Sequence, residues 1–110
     1  MNSFLDSIEK RNAIISEHSA VLIYFSHENC NVCKVLKPKI EKILELHFPK
    51  MKMFYSDTQK NPEIAAQDSI FTAPTMIIYF DGKEFYRESR NINTSALIEK
   101  IQRPYSLILK

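Results

Sequence analysis

Cys30 and Cys33 carry the two thiols of this 110-residue chain, and their spacing limits the chemistry open to them. Side chains at i and i+3 of a helix are neighbours, so the two sulfurs can close a disulfide and reopen as a dithiol. Such a pair exchanges disulfides: one thiolate attacks, a mixed disulfide forms, and the second thiol resolves it. Other uses of two cysteines stay open at this level. Free cysteines are often small apolar core fillers. A zinc site would recruit His27 as third ligand and His18 or His47 as fourth, but structural zinc usually takes four ligands, often as two such pairs, and the chain has one Cys pair. A purely structural bridge closing so short a loop would constrain little of the unfolded chain.

The elements that must position these thiols are legible on both sides of them. Ala20 to Phe25 is a short, unbroken apolar run rich in β-branched and aromatic residues. It has no polar face, which suits a strand buried on both sides. After Cys30 the period changes. Cys33, Leu36, Ile40, Ile43 and Leu44 recur at three and four, with Lys34, Lys37, Lys39, Glu41, Lys42 and Glu45 opposite them. Asn29 is placed to cap this helix, with Cys30 in its first turn, and the helix should stop near His47, before Pro49. Pro38 inside it predicts a kink. The free N–H groups and positive dipole end of a helix start favour thiolate over thiol, so Cys30 reads as the attacking sulfur and the deeper Cys33 as the resolving one.

The rest of the chain reads as follows. Ser3 with Asp6 predicts a helix start, and an apolar stripe through Phe4, Leu5, Ile8 and Ile15 carries it to about Glu17. Met51 to Asp57 predicts a strand. Asn61-Pro62-Glu63 opens a short helix to about Ser69, with Ile64 and Ala65 inward. Ile70 to Ala73 approaches Pro74 in extended form. Thr75 to Phe80 and Glu84 to Glu88 flank Asp81-Gly82 and form a hairpin by turn chemistry. The last helix starts near Asn93 or Thr94, faces Leu97, Ile98 and Ile101 inward, and stops at Pro104. The apolar tail from Tyr105 to Lys110 is expected to pack on the domain, with a partner surface or an added edge strand as alternatives.

Composition narrows the function. With 45% apolar and 25% charged residues and a formal net charge of +2, the chain reads as one ordinary globular domain over residues 1–110, without a basic cluster that would point to nucleic acid or an anionic membrane. Its single glycine, Gly82, excludes a Gly-rich phosphate loop and the nucleotide enzymes that use one. The first ten residues lack the basic start and apolar core of an export signal, and no stretch reaches membrane-spanning length. A reducing, cytoplasmic setting is therefore expected, where a Cys-x-x-Cys at a strand–helix junction is catalytic rather than structural.

From about Phe4 to Ile101 the sequence resembles the thioredoxin family. The residues that carry the resemblance are the strand Val21 to Phe25, Cys30-Asn31-Val32-Cys33-Lys34, Pro38, Ala73-Pro74-Thr75 and Asp81-Gly82. The resemblance implies an α/β chain with the thioredoxin fold, a mixed central sheet flanked by helices in three α/β/α layers. It implies a protein-disulfide reductase with Cys30 and Cys33 as catalytic residues and no cofactor or metal. Its partners would be disulfide-containing proteins and, as electron donor, a reductase or a low-molecular-weight thiol; the protein itself would be a monomer. A cis bond before Pro74 would face the cysteines, shield them from metal, and let Ala73, Pro74 and Thr75, with Asn29 beside them, bind an extended substrate peptide through backbone hydrogen bonds.

Five positions depart from the pattern. Asn29 stands where the family carries Trp, and Asn31-Val32 where it carries Gly-Pro. Tyr24 replaces a buried Asp that helps move the proton of the resolving thiol. Arg90 stands about where a Gly lets substrate backbone approach. Without the Asp, that proton would pass to water, Glu28 or His27; His27 could also stabilise the Cys30 thiolate when charged. A peptide-holding module without catalysis, and metal or iron–sulfur binding through the two cysteines, are the alternative functions.

Overall fold

The computed structural model describes residues 3–109; Met1, Asn2 and Lys110, which the readings of the N-terminus and the tail include, lie outside the described residues. The order is α1 (Ile8–Glu17), β1 (Ala20–Ser26), α2 (Asn31–His47), β2 (Lys52–Asp57), α3 (Pro62–Gln67), β3 (Thr75–Phe80), β4 (Lys83–Ser89) and α4 (Thr94–Ile108). The strands form one mixed sheet in the order β2-β1-β3-β4. β1 runs parallel to β2 and antiparallel to β3, and β3 and β4 form the hairpin.

The unbroken apolar run of β1 is explained by two cores. Successive side chains of a strand point to opposite faces. Leu22 and Tyr24 join Met76 and Ile78 under α2 and α4, against Cys33, Leu36, Ile40, Leu97 and Ile101. Val21, Ile23 and Phe25 join Ile77 and Tyr79 under α1 and α3, against Ile14, Ile15 and Ile64. Helices thus cover both faces of the sheet in three layers. Asp81 and Gly82 take φ of 52° and 82°, the paired positive values that a two-residue hairpin turn of the primed type requires.

Three expectations about helix ends are corrected. Ser7, not Ser3, caps α1, its hydroxyl accepting from the Lys10 N–H at 3.0 Å. Residues 3–5 are extended instead and pair with the exposed edge of β2: the Leu5 N–H donates to the Tyr55 carbonyl at 2.8 Å and the Tyr55 N–H to the Ser3 carbonyl at 2.9 Å. Covering an edge strand satisfies backbone groups that helix propensity would leave open.

Pro104 does not stop the last helix. α4 runs through it to Ile108 because Tyr105 is docked: its ring lies 5.0 Å from that of Phe48, and its hydroxyl accepts from the Lys50 N–H at 2.9 Å. The missing N–H of one proline is outweighed by that packing. Of the tail, Tyr105 and Leu109 pack on the core while Leu107 is exposed, and none of its described residues adds a strand.

The third correction concerns α2, whose cap is Cys30 itself. The helix continues unbroken through Pro38.

One buried ion pair that the sequence did not announce ties α1 to α3. The Arg11 guanidinium forks onto Asp68, at 3.1 Å through Nε and more closely through Nη2, and also donates to the Tyr79 hydroxyl at 3.1 Å. The Arg87 guanidinium donates to the Asp68 carbonyl at 2.8 Å.

Candidate active site

β1 ends at Ser26, and a four-residue loop lifts the chain to the start of α2. The Cys30 N–H donates to the His27 carbonyl at 3.2 Å, which closes that loop. Cys30 is extended (φ −96°, ψ 96°), and its Sγ accepts from the Cys33 N–H at 3.2 Å. Sulfur therefore does the capping that was expected of Asn29, whose own N–H donates to His27 Nδ1 at 3.2 Å. The correction moves Cys30 out by one residue and strengthens its chemistry. A cap atom faces the unpaired N–H groups of the first turn, so negative charge on this sulfur is stabilised at the position where it would form.

The two sulfurs are bonded, with Cα atoms 5.2 Å apart. Cys30 is half-buried and Cys33 is 2% exposed. An incoming disulfide therefore meets Cys30 first.

Facing them, the Ala73–Pro74 bond is cis, as the resemblance implied. Cys30, His27, Ala73, Pro74 and Arg90 line one cavity of about 350 Å³. The structure thus brings the candidate site residues His27, Cys30, Ala73 and Pro74 together with Arg90, and places Thr75 and Asn29 differently. Thr75 is buried under the proline loop, donating to the Thr72 carbonyl at 2.7 Å and lying 3.0 Å from the Ser89 hydroxyl. Asn29 is exposed beside the cavity, outside its lining. Ala73 precedes β3 and takes no place in either of its ladders. Arg90 has φ 63° and donates its N–H to the Pro74 carbonyl at 2.8 Å. The backbone keeps a glycine-like conformation there, although the residue carries a side chain.

Beneath the cysteines Tyr24 is fully buried, and its hydroxyl donates to the Cys33 carbonyl at 2.7 Å. Burial, with a smaller contribution from the Glu41 carboxylate, pushes its pKa up to about 12. The phenol therefore stays protonated through the neutral range and acts as a donor holding the first turn of α2.

A second cavity, of about 220 Å³, reaches Cys33 from the other side, and His27, Glu28, Asp57 and Lys60 line it. Glu28 pairs with Lys60 at 3.3 Å, both well exposed. Asp57, which the sequence reading missed, has one oxygen accepting from the N–H groups of Gln59 and Lys60. No local signal marks it in the sequence: it comes to the site because β2, which it closes, runs parallel to β1, whose end leads to the cysteines. Among the described residues no group of three or more His, Cys, Asp or Glu is placed to hold a metal ion. No helix among them is long and apolar enough to cross a membrane.

A strand, a Cys-x-x-Cys helix start and a facing cis-proline loop define the class of dithiol–disulfide exchange proteins with this mixed-sheet architecture. The thioredoxin family model matches residues 4–103. A thioredoxin-like protein of Bacillus subtilis, YdfQ, is 32% identical over 103 residues, which is 94% of this chain and 91% of that relative. The thioredoxin of Chlamydia trachomatis is 35% identical over 76% of this chain and 80% of its own length. Among solved structures, thioredoxin from Trypanosoma brucei brucei superposes with a TM-score of 0.84 at 26% identity, covering 96% of this chain and 92% of that one. Oxidised mitochondrial thioredoxin 3 of Saccharomyces cerevisiae, at 22% identity, shares the fold with a TM-score of 0.82 over 93% and 94% of the two chains. The chain belongs to the thioredoxin family.

Proposed function

We infer that the protein is a thiol–disulfide oxidoreductase that reduces protein disulfides in the cytoplasm, as a one-domain monomer. The observation that carries this reading is the position of Cys30 Sγ, which caps α2 and opens into the same cavity as the cis-proline loop. Reduced Cys30 attacks one sulfur of the substrate disulfide as thiolate. The new S–S bond forms as the substrate bond breaks, and the departing sulfur leaves as a thiolate that takes up a proton. Cys33 then loses its proton and attacks Cys30. The Cys30–Cys33 disulfide closes, the second substrate sulfur leaves, and two electrons have passed to the substrate. A reductase protein or a low-molecular-weight thiol returns them.

In this reading Ala73 offers its backbone to an extended substrate segment, Pro74 keeps that segment over the sulfurs, Thr75 braces the loop from below, and Asn29 flanks the entrance. The proton of Cys33 leaves through the cavity lined by His27, Glu28 and Asp57, because the buried side holds only the donor Tyr24. The test is turnover of a protein disulfide with Cys30→Ser and Cys33→Ser variants. Cys30→Ser should abolish it, and Cys33→Ser should accumulate a mixed disulfide on Cys30. Normal turnover by Cys33→Ser, with no trapped species, would exclude the two-cysteine mechanism.

A further inference from the structure

Arg90 is held in a conformation that suits its side chain poorly. Its φ of 63° lies in the left-handed region, which glycine adopts without steric penalty. Both of its backbone groups are engaged: the N–H donates to the Pro74 carbonyl at 2.8 Å, and the carbonyl accepts from the Ile92 N–H at 3.0 Å. The backbone is thus fixed against the cis-proline loop, across from Cys30. A strained residue that is not glycine, beside a reactive sulfur, points to a use for its side chain. What this side chain carries is charge. Arg90 is exposed, and no ion pair or side-chain hydrogen bond among the described residues includes its guanidinium. It lines the cavity that Cys30 and Pro74 share, and no Asp, Glu or Lys does. The acids nearest in the chain have other partners. Glu88 accepts from the Tyr86 hydroxyl at 3.0 Å, and Glu28, just before Cys30, pairs with Lys60. An unpaired cation therefore stands at the edge of an otherwise uncharged approach to the attacking sulfur.

We propose that Arg90 selects disulfides that carry a carboxylate close to the attacked sulfur, which makes it a specificity-determining residue, given the disulfide reduction inferred above. A guanidinium meets a carboxylate through two parallel N–H donors, and no acid in the cavity lining competes for it. An Asp or Glu beside the cysteine of a substrate polypeptide supplies that group, and so does the acid of a small anionic disulfide. A Lys or Arg at the same place would face like charge. Any effect of the cation on Cys30 itself acts on all substrates alike, so the preference is read as a ratio of rates.

The test uses the full chain, pre-reduced, in two arms. In the first, symmetric disulfides of short Gly/Ser peptides with one central cysteine carry a Glu or a Gln one or two positions from it, side chains that differ in charge and hardly in size. In the second, dithiodipropionate is compared with hydroxyethyl disulfide. Each second-order rate of reduction is divided by the rate with dithiothreitol, which removes the intrinsic reactivity of the substrate. The wild-type protein should favour the carboxylate substrate about fivefold at low ionic strength, the upper scale of an exposed charge pair, and the preference should fade at about 1 M salt. Arg90→Gln and Arg90→Gly should bring the ratio close to unity, the second without the left-handed strain, and Arg90→Lys should keep part of it. Lys52→Gln removes the same charge where β2 starts, at the end of the sheet away from the cysteines, and should keep all of it. A preference in the peptide arm assigns the carboxylate to a substrate polypeptide, and one confined to the small disulfides assigns it to a low-molecular-weight substrate; either upholds the proposal. A wild-type ratio near unity in both arms, or a ratio that survives Arg90→Gln or high salt, overturns it. Failure of the reduced wild-type protein to reduce any of these disulfides overturns the oxidoreductase reading itself, and the proposal with it.

Discussion

Replacing Tyr24 by Phe removes one atom from the floor of the site and tests how the resolving thiol loses its proton. The ring stays, so no cavity forms; what is lost is the hydroxyl that donates to the Cys33 carbonyl at 2.7 Å. A buried, neutral hydrogen bond of this kind contributes about 1 kcal/mol, which for a chain of this size lowers the melting temperature by about 4 °C. The chemistry should be untouched between about pH 6 and about pH 9, because a phenol held up to about 12 neither takes nor gives a proton there. An aryl disulfide that releases one coloured thiolate when Cys30 attacks and a second when Cys33 resolves separates the two steps. The second phase should keep its rate within about twofold and its pH midpoint. A tenfold slower second phase, or a midpoint moved by about one unit, would mean that the proton does travel through Tyr24.

The same group makes a signed prediction about stability. Its folded value lies above the ordinary tyrosine value of 10.0, so its contribution is whole below about pH 10 and is lost as the pH climbs towards about 12. The deficit of Tyr24→Phe should therefore shrink above about pH 10, where wild type loses stability through Tyr24 and the variant does not.

Two other substitutions probe the frame. Asp68→Ala leaves the Arg11 guanidinium part-buried without its carboxylate and should cost about 3–5 kcal/mol in denaturant unfolding; a loss below about 1 kcal/mol would show the pair to be solvated. Arg90→Gly relieves a side chain at φ 63° and should raise stability by about 1 kcal/mol; unchanged or lower stability would contradict the left-handed backbone at this position.

Much of the fold was legible because local pattern and tertiary context agree. The run from Ala20 to Phe25 has no polar face since both of its faces meet a core, and Asp81-Gly82 takes the positive φ values its residue types allow. Where the reading failed, a distant contact outweighed a local rule. Pro104 sits inside a helix because Tyr105 is anchored on Phe48 and Lys50, and residues 3–5 are strand-like because β2 needs its edge paired. Asn29 has a good capping side chain, but the loop turn closed by the His27 carbonyl hands the cap to Cys30. In the site, the cysteines and the proline were visible as types at a spacing. Asp57 was not, because it reaches the surroundings of the sulfurs only through the parallel pairing of β1 with β2.

The claim that everything else depends on is that Cys30 and Cys33 cycle as a reducing couple. The equilibrium reduction potential of the wild-type protein, titrated against dithiothreitol and glutathione buffers and read by thiol alkylation, tests it most directly. A value near about −270 mV is predicted, in the reducing range of this family. A value above about −200 mV, or a pair that forms no intramolecular disulfide at any poise, would contradict it.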